Sequence, residues 1–180
     1  MIFEVTELPG VMLVRLDPHH DERGLFARLF CTDEFAAVGI DFSLAQMSLS
    51  RNRAQFTLRG MHFQLPPYAE AKLVRCARGR IYDVAIDIRP DSGTFLKWQA
   101  FELDAETGDA VFIPEGYAHG FLTLEPDTDV VYMMNTRFEP GAARGIRWDD
   151  PALALRWPAP PAVIGPRDTA WPSFATRPSS

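Results

Sequence analysis

The stretch Gly108-Asp-Ala-Val-Phe-Ile-Pro-Glu-Gly-Tyr-Ala-His119 decides the fold class. The apolar run before Pro114 has the composition of a short buried β-strand. Pro114 ends that strand because it has no N–H for a sheet, and Gly116 permits a tight return of the chain. We therefore expect a second strand to start at His119, with the histidine near the mouth of a β-structure.

Other apolar runs, separated by turn residues, recur along the chain. In residues 81–88, Ile81 and Ala85 share one face with two aspartates, whereas Tyr82 and Val84 share the other. This period of two predicts a half-buried antiparallel strand, and residues 96–103 follow it less regularly. Further strands are predicted at 11–16, 25–30, 73–76, 110–113, 120–124 and 130–134.

One short helix and a proline-rich tail complete the pattern. Thr32 is the predicted N-cap of a helix that ends at Gly39. The tail from Trp157 cannot continue a central strand because of its prolines, but Ile164 and Trp171 supply apolar anchors. We expect the tail to pack back on the β-structure, with about the last six residues loose.

The 180 residues are 47% hydrophobic, 12% aromatic and 23% charged, which is a globular composition with chain enough for a sizeable core. Fifteen prolines and twelve glycines indicate many turns. Short strands at this spacing are typical of a sandwich or a jelly-roll barrel. We predict an all-β fold with short helices, in one domain over residues 1–180.

Charge and cysteine content restrict the partner and the compartment. The net charge of −6 gives no diffuse basic field, so we expect neither nucleic acid nor a membrane surface as a partner. Cys31 and Cys76 are too few for a disulfide framework and suit a reducing compartment. No signal-peptide pattern is visible, and no apolar stretch approaches the ~20 residues of a membrane span. These features predict a soluble cytoplasmic protein.

The spacing G-x5-P-x-G-x2-H in residues 108–119 resembles the second motif of the cupins, a superfamily of jelly-roll barrels. The first cupin motif would supply His-x-His and then a glutamate. Here the sequence is His62-Phe-Gln64, and Glu70 comes only after two prolines. With His119 this leaves two histidines, whereas a catalytic zinc or iron site usually has three good protein ligands. We therefore expect no bound metal.

His62 could instead be a core histidine with a hydrogen-bonded ring. The polar residues near it in the sequence argue against that interpretation, because Arg59, Gln64 and Lys72 would not cluster in an apolar environment. The sequence therefore favours a polar site around His62.

Five segments carry a more specific pattern: TLRGMHFQLPPYAEAKLVRCARGRIYDVAIDIR (57–89), IPEGYAHGFLTL (113–124), VVYMM (130–134), GIRWDDPALALRWP (145–158) and IGPRD (164–168). Together they resemble the dTDP-4-dehydrorhamnose 3,5-epimerases and their relatives, in the family's order along nearly the whole chain. The resemblance implies a jelly roll without a cofactor, usually a homodimer. It also implies a nucleotide-diphosphate sugar as substrate, with a 4-keto-6-deoxysugar as its sugar.

The resemblance assigns catalytic roles to four residues. A ketone at C4 acidifies the hydrogens on C3 and C5, so epimerisation needs a base, a group that stabilises the enolate, and an acid. By resemblance His62 is the base, and Asp168 fixes its tautomer and raises its basicity. Lys72 would stabilise the enolate charge, and Tyr132 would return a proton on the opposite face.

The resemblance also assigns substrate contacts. Arg59 and His119 match positions that contact the diphosphate or the sugar, and the forked donors of arginine suit phosphate oxygens. Arg23 and Phe26 match a nucleotide-contacting segment near the dimer interface. Gln46 matches a polar position in the nucleotide pocket.

The sequence departs from the rhamnose-pathway pattern around the expected base and sugar contacts. Arg28 stands where those enzymes have a glutamate, which reverses the charge. Ser48 replaces an asparagine, and Arg167 replaces a lysine before the tail aspartate; further departures fall at Met47, Ala143 and Phe138. We include Arg28, Ser48 and Arg167 among the substrate contacts, and the nucleotide could be dTDP, GDP, CDP or UDP.

Other functions stay open at the level of sequence. A 3,4-ketoisomerase on the same fold would use related enolisation, and a sugar-binding cupin would need no proton carriers. A metal-dependent cupin oxygenase would need the ligands that the first motif lacks. The sequence also leaves open whether C3, C5 or both centres are inverted.

Overall fold

The computed structural model describes residues 1–174. In this part of the chain the strands are β1 (Ile2–Val5), β2 (Met12–Arg15), β3 (His19–Asp21), β4 (Gly24–Phe26), β5 (Gln46–Asn52), β6 (Thr57–Gln64), β7 (Lys72–Arg78), β8 (Arg80–Asp87), β9 (Trp98–Asp104), β10 (Ala110–Ile113), β11 (Tyr117–Thr123), β12 (Thr128–Met134), β13 (Ala143–Gly145) and β14 (Val163–Ile164). The helices are α1 (Thr32–Ala37) and α2 (Pro166–Thr169). No helix in residues 1–174 is long and apolar enough to cross a membrane.

Two sheets form the body of the fold. One has the order β1-β2-β10-β7-β12-β5, and the other has the order β13-β6-β11-β8-β9 with β14 added in parallel to β6. Side chains from both sheets meet in one buried core, for example Val74 and Val111 from the first and Ile81, Leu103 and Phe121 from the second. This arrangement confirms the predicted all-β jelly roll.

The outer face of each sheet is covered by a different part of the chain. On the first sheet, Phe35 of α1 and Phe42 pack against Leu73 and Phe112. On the second sheet, residues after β13 cover the strands, so that the predicted packing of the tail is confirmed. The final residues predicted to be loose lie outside the described residues.

This tail explains one wrong prediction about β8. Ile81 and Ala85 face the inner core, as the alternation predicts. The other face is also buried, because Val84 and Ile86 pack against Leu153 and neighbouring tail residues. The strand is therefore buried on both faces, and only the sequence of the distant tail accounts for that.

Several predicted boundaries are wrong by a few residues. The N-cap of α1 is Cys31 rather than Thr32, and it makes no side-chain cap hydrogen bond. Gly39 does follow the helix with a positive φ of 80°. His119 is the third residue of β11 rather than its first. Residues 27–30 do not continue β4, because that strand pairs only with β3 in a short hairpin.

A pair of glycines brings β6 and β11 unusually close. Gly60 has φ +146°, and a Cβ built on it would lie only 2.6 Å from the Cα of Gly120. The strand register shifts at this point, between His119 and Phe121. Irregularities of this kind re-aim side chains. In a regular strand, side chains three positions apart point to opposite faces of the sheet. Here Arg59 and His62 are three positions apart, yet both line the same hollow.

Candidate active site

Two hollows share a wall between the sheets. One has a volume of about 390 Å³ and the other about 260 Å³. Four residues line both, and each stands on a different strand: Ser48 on β5, His62 on β6, Lys72 on β7 and Tyr132 on β12. The two hollows together are called the sugar hollow below, after the substrate that the sequence resemblance implies. It therefore contains three of the four residues that the sequence predicts to be catalytic.

The fourth residue predicted to be catalytic is Asp168, and it contacts the imidazole ring of His62. The Nε2 atom of His62 lies 2.6 Å from the Oδ1 atom of Asp168. The other carboxylate oxygen accepts a hydrogen bond from the Gly60 N–H at 3.2 Å. Because the carboxylate engages Nε2, Nδ1 is the ring nitrogen left to accept a proton.

The environment of Asp168 keeps its carboxylate charged. Burial acts to raise the pKa, but the hydrogen bond and the charge of His62 oppose it, together with the Gly60 and Trp171 N–H groups. The net result is a pKa below the ordinary value of an aspartate. The aspartate is only 6% exposed, so this charge acts on the imidazole with little screening by water.

Short local contacts deliver Asp168 to its position. Val163 and Ile164 of β14 pair in parallel with Thr57 and Leu58, which fixes the tail against the strand that carries His62. Pro166 then begins α2 at a position where its missing N–H costs nothing. The Asp168 N–H donates to the carbonyl of Gly165 at 2.9 Å, which turns the carboxylate towards β6.

Lys72 lies in a buried ion pair. Its Nζ atom is 2.7 Å from Oε1 of Glu70, and the two side chains are only 9% and 10% exposed. The second carboxylate oxygen of Glu70 accepts from the side-chain amide of Gln64 at 3.2 Å. A lysine held this way keeps its ammonium at a fixed point in the sugar hollow.

Tyr132 reaches the hollow from the sheet opposite to the one that carries His62. Its ring meets the ring of His119 edge-on, with centroids 6.0 Å apart. Burial raises the pKa of Tyr132 above its ordinary value, and the negative charge of Asp83 adds to that rise, whereas Arg59 opposes it. The phenol therefore carries its proton at neutral pH and can donate it.

A second histidine–aspartate pair lies beside the first. The Nε2 atom of His119 is 2.7 Å from Oδ2 of Asp83, and both side chains are almost fully buried. His119 is the register partner of His62 across β11 and β6. Within residues 1–174, no group of three or more histidine, cysteine, aspartate or glutamate side chains is placed to hold a metal ion.

Comparison with known proteins identifies the family. The family model "dTDP-4-dehydrorhamnose 3,5-epimerase" matches residues 5–176. The chain belongs to this family. A dTDP-4-dehydrorhamnose 3,5-epimerase from Sinorhizobium fredii is 39% identical over 100% of this chain and 93% of its own length. A dTDP-4-dehydrorhamnose 3-epimerase from Streptomyces niveus is 34% identical over 89% of this chain and 78% of its own length.

A solved relative has the same fold with a bound nucleotide sugar. The dTDP-6-deoxy-D-glucose-3,5-epimerase from Legionella pneumophila was crystallised with dTDP-4-keto-L-rhamnose. It superposes on this chain with a TM-score of 0.92 at 31% identity, over 97% of this chain and 93% of its own.

In this member of the epimerase family, several predicted substrate contacts also line the sugar hollow. Arg59 and His119 line one part of it, and Gln46 and Arg167 line the other. Two of these side chains already have partners: Arg59 donates to the side chain of Asn52 at 2.8 Å, and Gln46 accepts from the Phe138 N–H at 2.9 Å.

Three predicted contacts lie elsewhere in the chain. Arg23 and Phe26 belong to the β3–β4 hairpin and line a separate hollow, where Arg23 pairs with Asp21. Arg28 forms an ion pair of 2.5 Å with Glu34. Within one copy of the chain these side chains do not line the sugar hollow, and their role stays a prediction.

Sequence reasoning missed several residues that support the site. The sequence around Glu70 indicates no more than a poor metal ligand, and Asp83 is one position of an alternating strand. Trp171 was expected to be an apolar anchor, but its indole N–H also points at Oδ1 of Asp168 from 3.4 Å. The signal for Trp171 was its position three residues after Asp168 in a tail otherwise rich in proline.

Proposed function

We propose that this protein epimerises C3, C5 or both centres of a nucleotide-linked 4-keto-6-deoxysugar in deoxysugar biosynthesis, with its own side chains as base and acid. One observation carries the proposal. The His62 ring lies 2.6 Å from a buried carboxylate while it lines a hollow that also holds Lys72 and Tyr132. A simple sugar-binding site has no need of this set of proton carriers.

The reaction begins with removal of a proton next to the ketone. Nδ1 of His62 takes the proton from C3 or C5, the C–H electrons form a C=C bond, and the carbonyl π electrons move to the C4 oxygen. The imidazole becomes an imidazolium, which the charged carboxylate of Asp168 stabilises. Because Asp168 is buried and ionised, this stabilisation is available at neutral pH.

Lys72 stabilises the negative oxygen that forms at C4. Its ammonium is held in place before the reaction by Glu70, so little reorganisation is needed when the charge develops. The carboxylate of Glu70 also pairs the buried ammonium, which would be costly to leave isolated.

Tyr132 returns a proton from the other side. It stands on β12 of the first sheet, whereas His62 stands on β6 of the second, so the two groups approach the sugar from opposite sheets. Transfer of the phenol proton to the carbanion carbon inverts the centre as the C4 carbonyl re-forms. The phenolate then takes a proton from solvent and the His62 imidazolium releases one to solvent, which returns both groups to their starting states. The raised pKa of Tyr132 keeps that proton available until the enolate has formed.

The substrate is proposed to be a nucleotide-diphosphate sugar. Arg59 supplies forked donors at the edge of the hollow that also holds His119, as a diphosphate would require. The nucleotide sugar in the Legionella relative supports thymidine as the nucleoside. GDP, CDP and UDP sugars are the alternatives, because Arg28 and Ser48 depart from the expected thymidine contacts. A nucleotide-sugar substrate and the free thiols of Cys31 and Cys76 support a cytoplasmic location.

We also infer that two copies of the chain form the working enzyme. The β3–β4 hairpin exposes Leu25 and Phe26, and the edge strand β5 exposes Met47 and Leu49. Exposed apolar side chains of this kind mark interaction surfaces. A homodimer would also allow Arg23 and Phe26 to serve the sugar hollow of the partner. Sedimentation of the purified protein tests the association, and a monomer at micromolar concentration contradicts it.

The decisive experiment incubates the enzyme with dTDP, GDP, CDP and UDP 4-keto-6-deoxysugars in deuterated water. NMR should show deuterium entering C3, C5 or both, with inversion of the labelled centre. Migration of the ketone to C3 would instead identify a 3,4-ketoisomerase. His62→Ala should abolish the exchange while folding normally, and exchange at the wild-type rate in this variant would eliminate His62 as the base.

A further inference from the structure

We infer that Trp171 is a positioning residue of this active site: its indole fixes the carboxylate of Asp168 against the His62 ring. The inference rests on the proposed function and adds a residue that the catalytic scheme does not contain. Trp171 does not line the sugar hollow, so it acts through Asp168 and not on the substrate.

The first observation is the contact with the carboxylate. The Nε1–H of Trp171 points at Oδ1 of Asp168 from 3.4 Å, and this is the same oxygen that lies 2.6 Å from Nε2 of His62. The Trp171 ring also meets the His62 ring at a steep angle, with centroids 6.4 Å apart. Trp171 therefore closes the side of the carboxylate that neither Gly60 nor His62 covers.

The second observation is that Gly145 makes room for the indole. Gly145 is the register partner of His62 across β13 and β6. A Cβ built on Gly145 would lie 2.2 Å from Cε2 and 2.3 Å from Nε1 of Trp171. No side chain other than the hydrogen of glycine fits this gap, so the indole is seated directly on the strand beside the base.

The third observation concerns how the tail is held. The helix α2 has only four residues and makes no side-chain cap hydrogen bond, so it cannot fix Asp168 alone. Before Asp168 the tail is anchored by β14, and after it by Trp171. Arg167 stacks on the indole, with Cζ 5.1 Å from the ring centroid. The carboxylate is therefore held between two anchors, one on each side in sequence.

The experiment compares Trp171→Ala and Trp171→Phe with a matched control, Trp157→Phe. Trp157 is another tail tryptophan that donates to a carbonyl, that of Trp148, and packs on Tyr82 away from the hollow. We expect kcat for deuterium exchange to fall about 10- to 100-fold in Trp171→Ala, with a much smaller change in KM, because the base is misplaced while the contacts of Arg59 and His119 remain and only Arg167 loses its packing partner. Trp171→Phe should fall less, and Trp157→Phe should match the wild type.

A second pair of variants separates positioning from general damage. Gly145→Ala should lower kcat because its methyl group displaces the indole. The double variant Gly145→Ala with Trp171→Ala should be no worse than Trp171→Ala alone, since the methyl group then enters empty space. Additive losses would overturn the inference, as would a kcat of Trp171→Ala equal to that of Trp157→Phe, or a change confined to KM.

An NMR measurement on the free protein keeps this inference separate from the proposed function. In the ¹⁵N-labelled wild type the His62 Nε2 proton, bonded to Asp168, should appear far downfield and vanish in His62→Ala. Loss of this signal in a folded Trp171→Ala supports the inference even if no sugar nucleotide is a substrate. An unchanged signal in Trp171→Ala overturns it, whatever the activity.

Discussion

Gly60 and Gly120 touch across two strands directly beside the proposed base, at a distance that leaves no space for a methyl group. Their contact places His62 opposite His119 and lets Arg59 enter the same hollow. The backbone of the site is therefore defined by two residues that have no side chains of their own.

Gly120→Ala should destabilise the fold and impair the reaction. Its methyl group would lie 2.6 Å from the Met61 sulfur and 2.7 Å from the Arg59 carbonyl oxygen. Overpacking of this kind costs about 1–3 kcal/mol, which urea denaturation can measure. Gly93→Ala is the matched control, because a Cβ at Gly93 meets nothing within 4 Å. Equal midpoints for the two variants would contradict the close contact.

Tyr132→Phe should separate the two halves of the proposed reaction. His62 can still remove the first proton, so deuterium exchange continues, but the proton that inverts the centre has no donor. We expect epimerised product to fall about 10²–10⁴-fold, with a smaller loss in exchange, as measured by NMR in deuterated water. The control is Tyr82→Phe, which removes a hydroxyl from the outer face of the second sheet. Equal losses in exchange and inversion would speak against Tyr132 as the acid.

Lys72→Met should lose both activity and stability, and the two losses can be separated. Removal of the ammonium leaves the Glu70 carboxylate buried without its partner, which costs about 3–5 kcal/mol. Adding Glu70→Gln should recover most of the stability in a urea titration but none of the activity. Lys97→Met, at an exposed lysine outside the sugar hollow, should change neither. Recovery of exchange in the double variant would show that Lys72 does not stabilise the enolate.

Asp168 should make the stability of the protein depend on pH in the acid range. Its pKa in the folded protein lies below the ordinary aspartate value of 3.8, so its stabilising effect is fully present above that value. The effect is lost as the pH falls through the folded pKa, because the protonated carboxyl no longer binds the His62 ring as strongly. In Asp168→Asn this contribution is absent. The difference in urea midpoint between wild type and variant should therefore shrink as the pH falls below about 4, and a constant difference would contradict the predicted linkage.

Short sequence patterns correctly predicted strands that their own residues define. The run from Ala110 to Ile113 is a strand with the predicted bounds, and the fold class follows from its proline turn. The burial of β8 on both faces could not be predicted from its own residues, because the cover comes from a tail some seventy positions away. The strand β6 was missed, since the register shift near Gly60 breaks its period.

The site shows a similar division. Spacing alone made His62 and His119 notable, but only the family resemblance linked His62 with Asp168. The support from Glu70, Gly145 and Trp171 depends on contacts between strands and tail that no short pattern records. Residues that act on the substrate can be transferred from relatives, whereas residues that hold them in place depend on how this particular chain packs.

The parallel pairing of β14 with β6 also makes the base depend on residues that never meet the substrate. His62 and Asp168 are 106 positions apart in the chain, and the carboxylate is held near the ring by the pairing of Val163 and Ile164 with Thr57 and Leu58. Neither Val163 nor Ile164 lines the sugar hollow. Two residues of backbone pairing thus control whether the proposed base has its carboxylate.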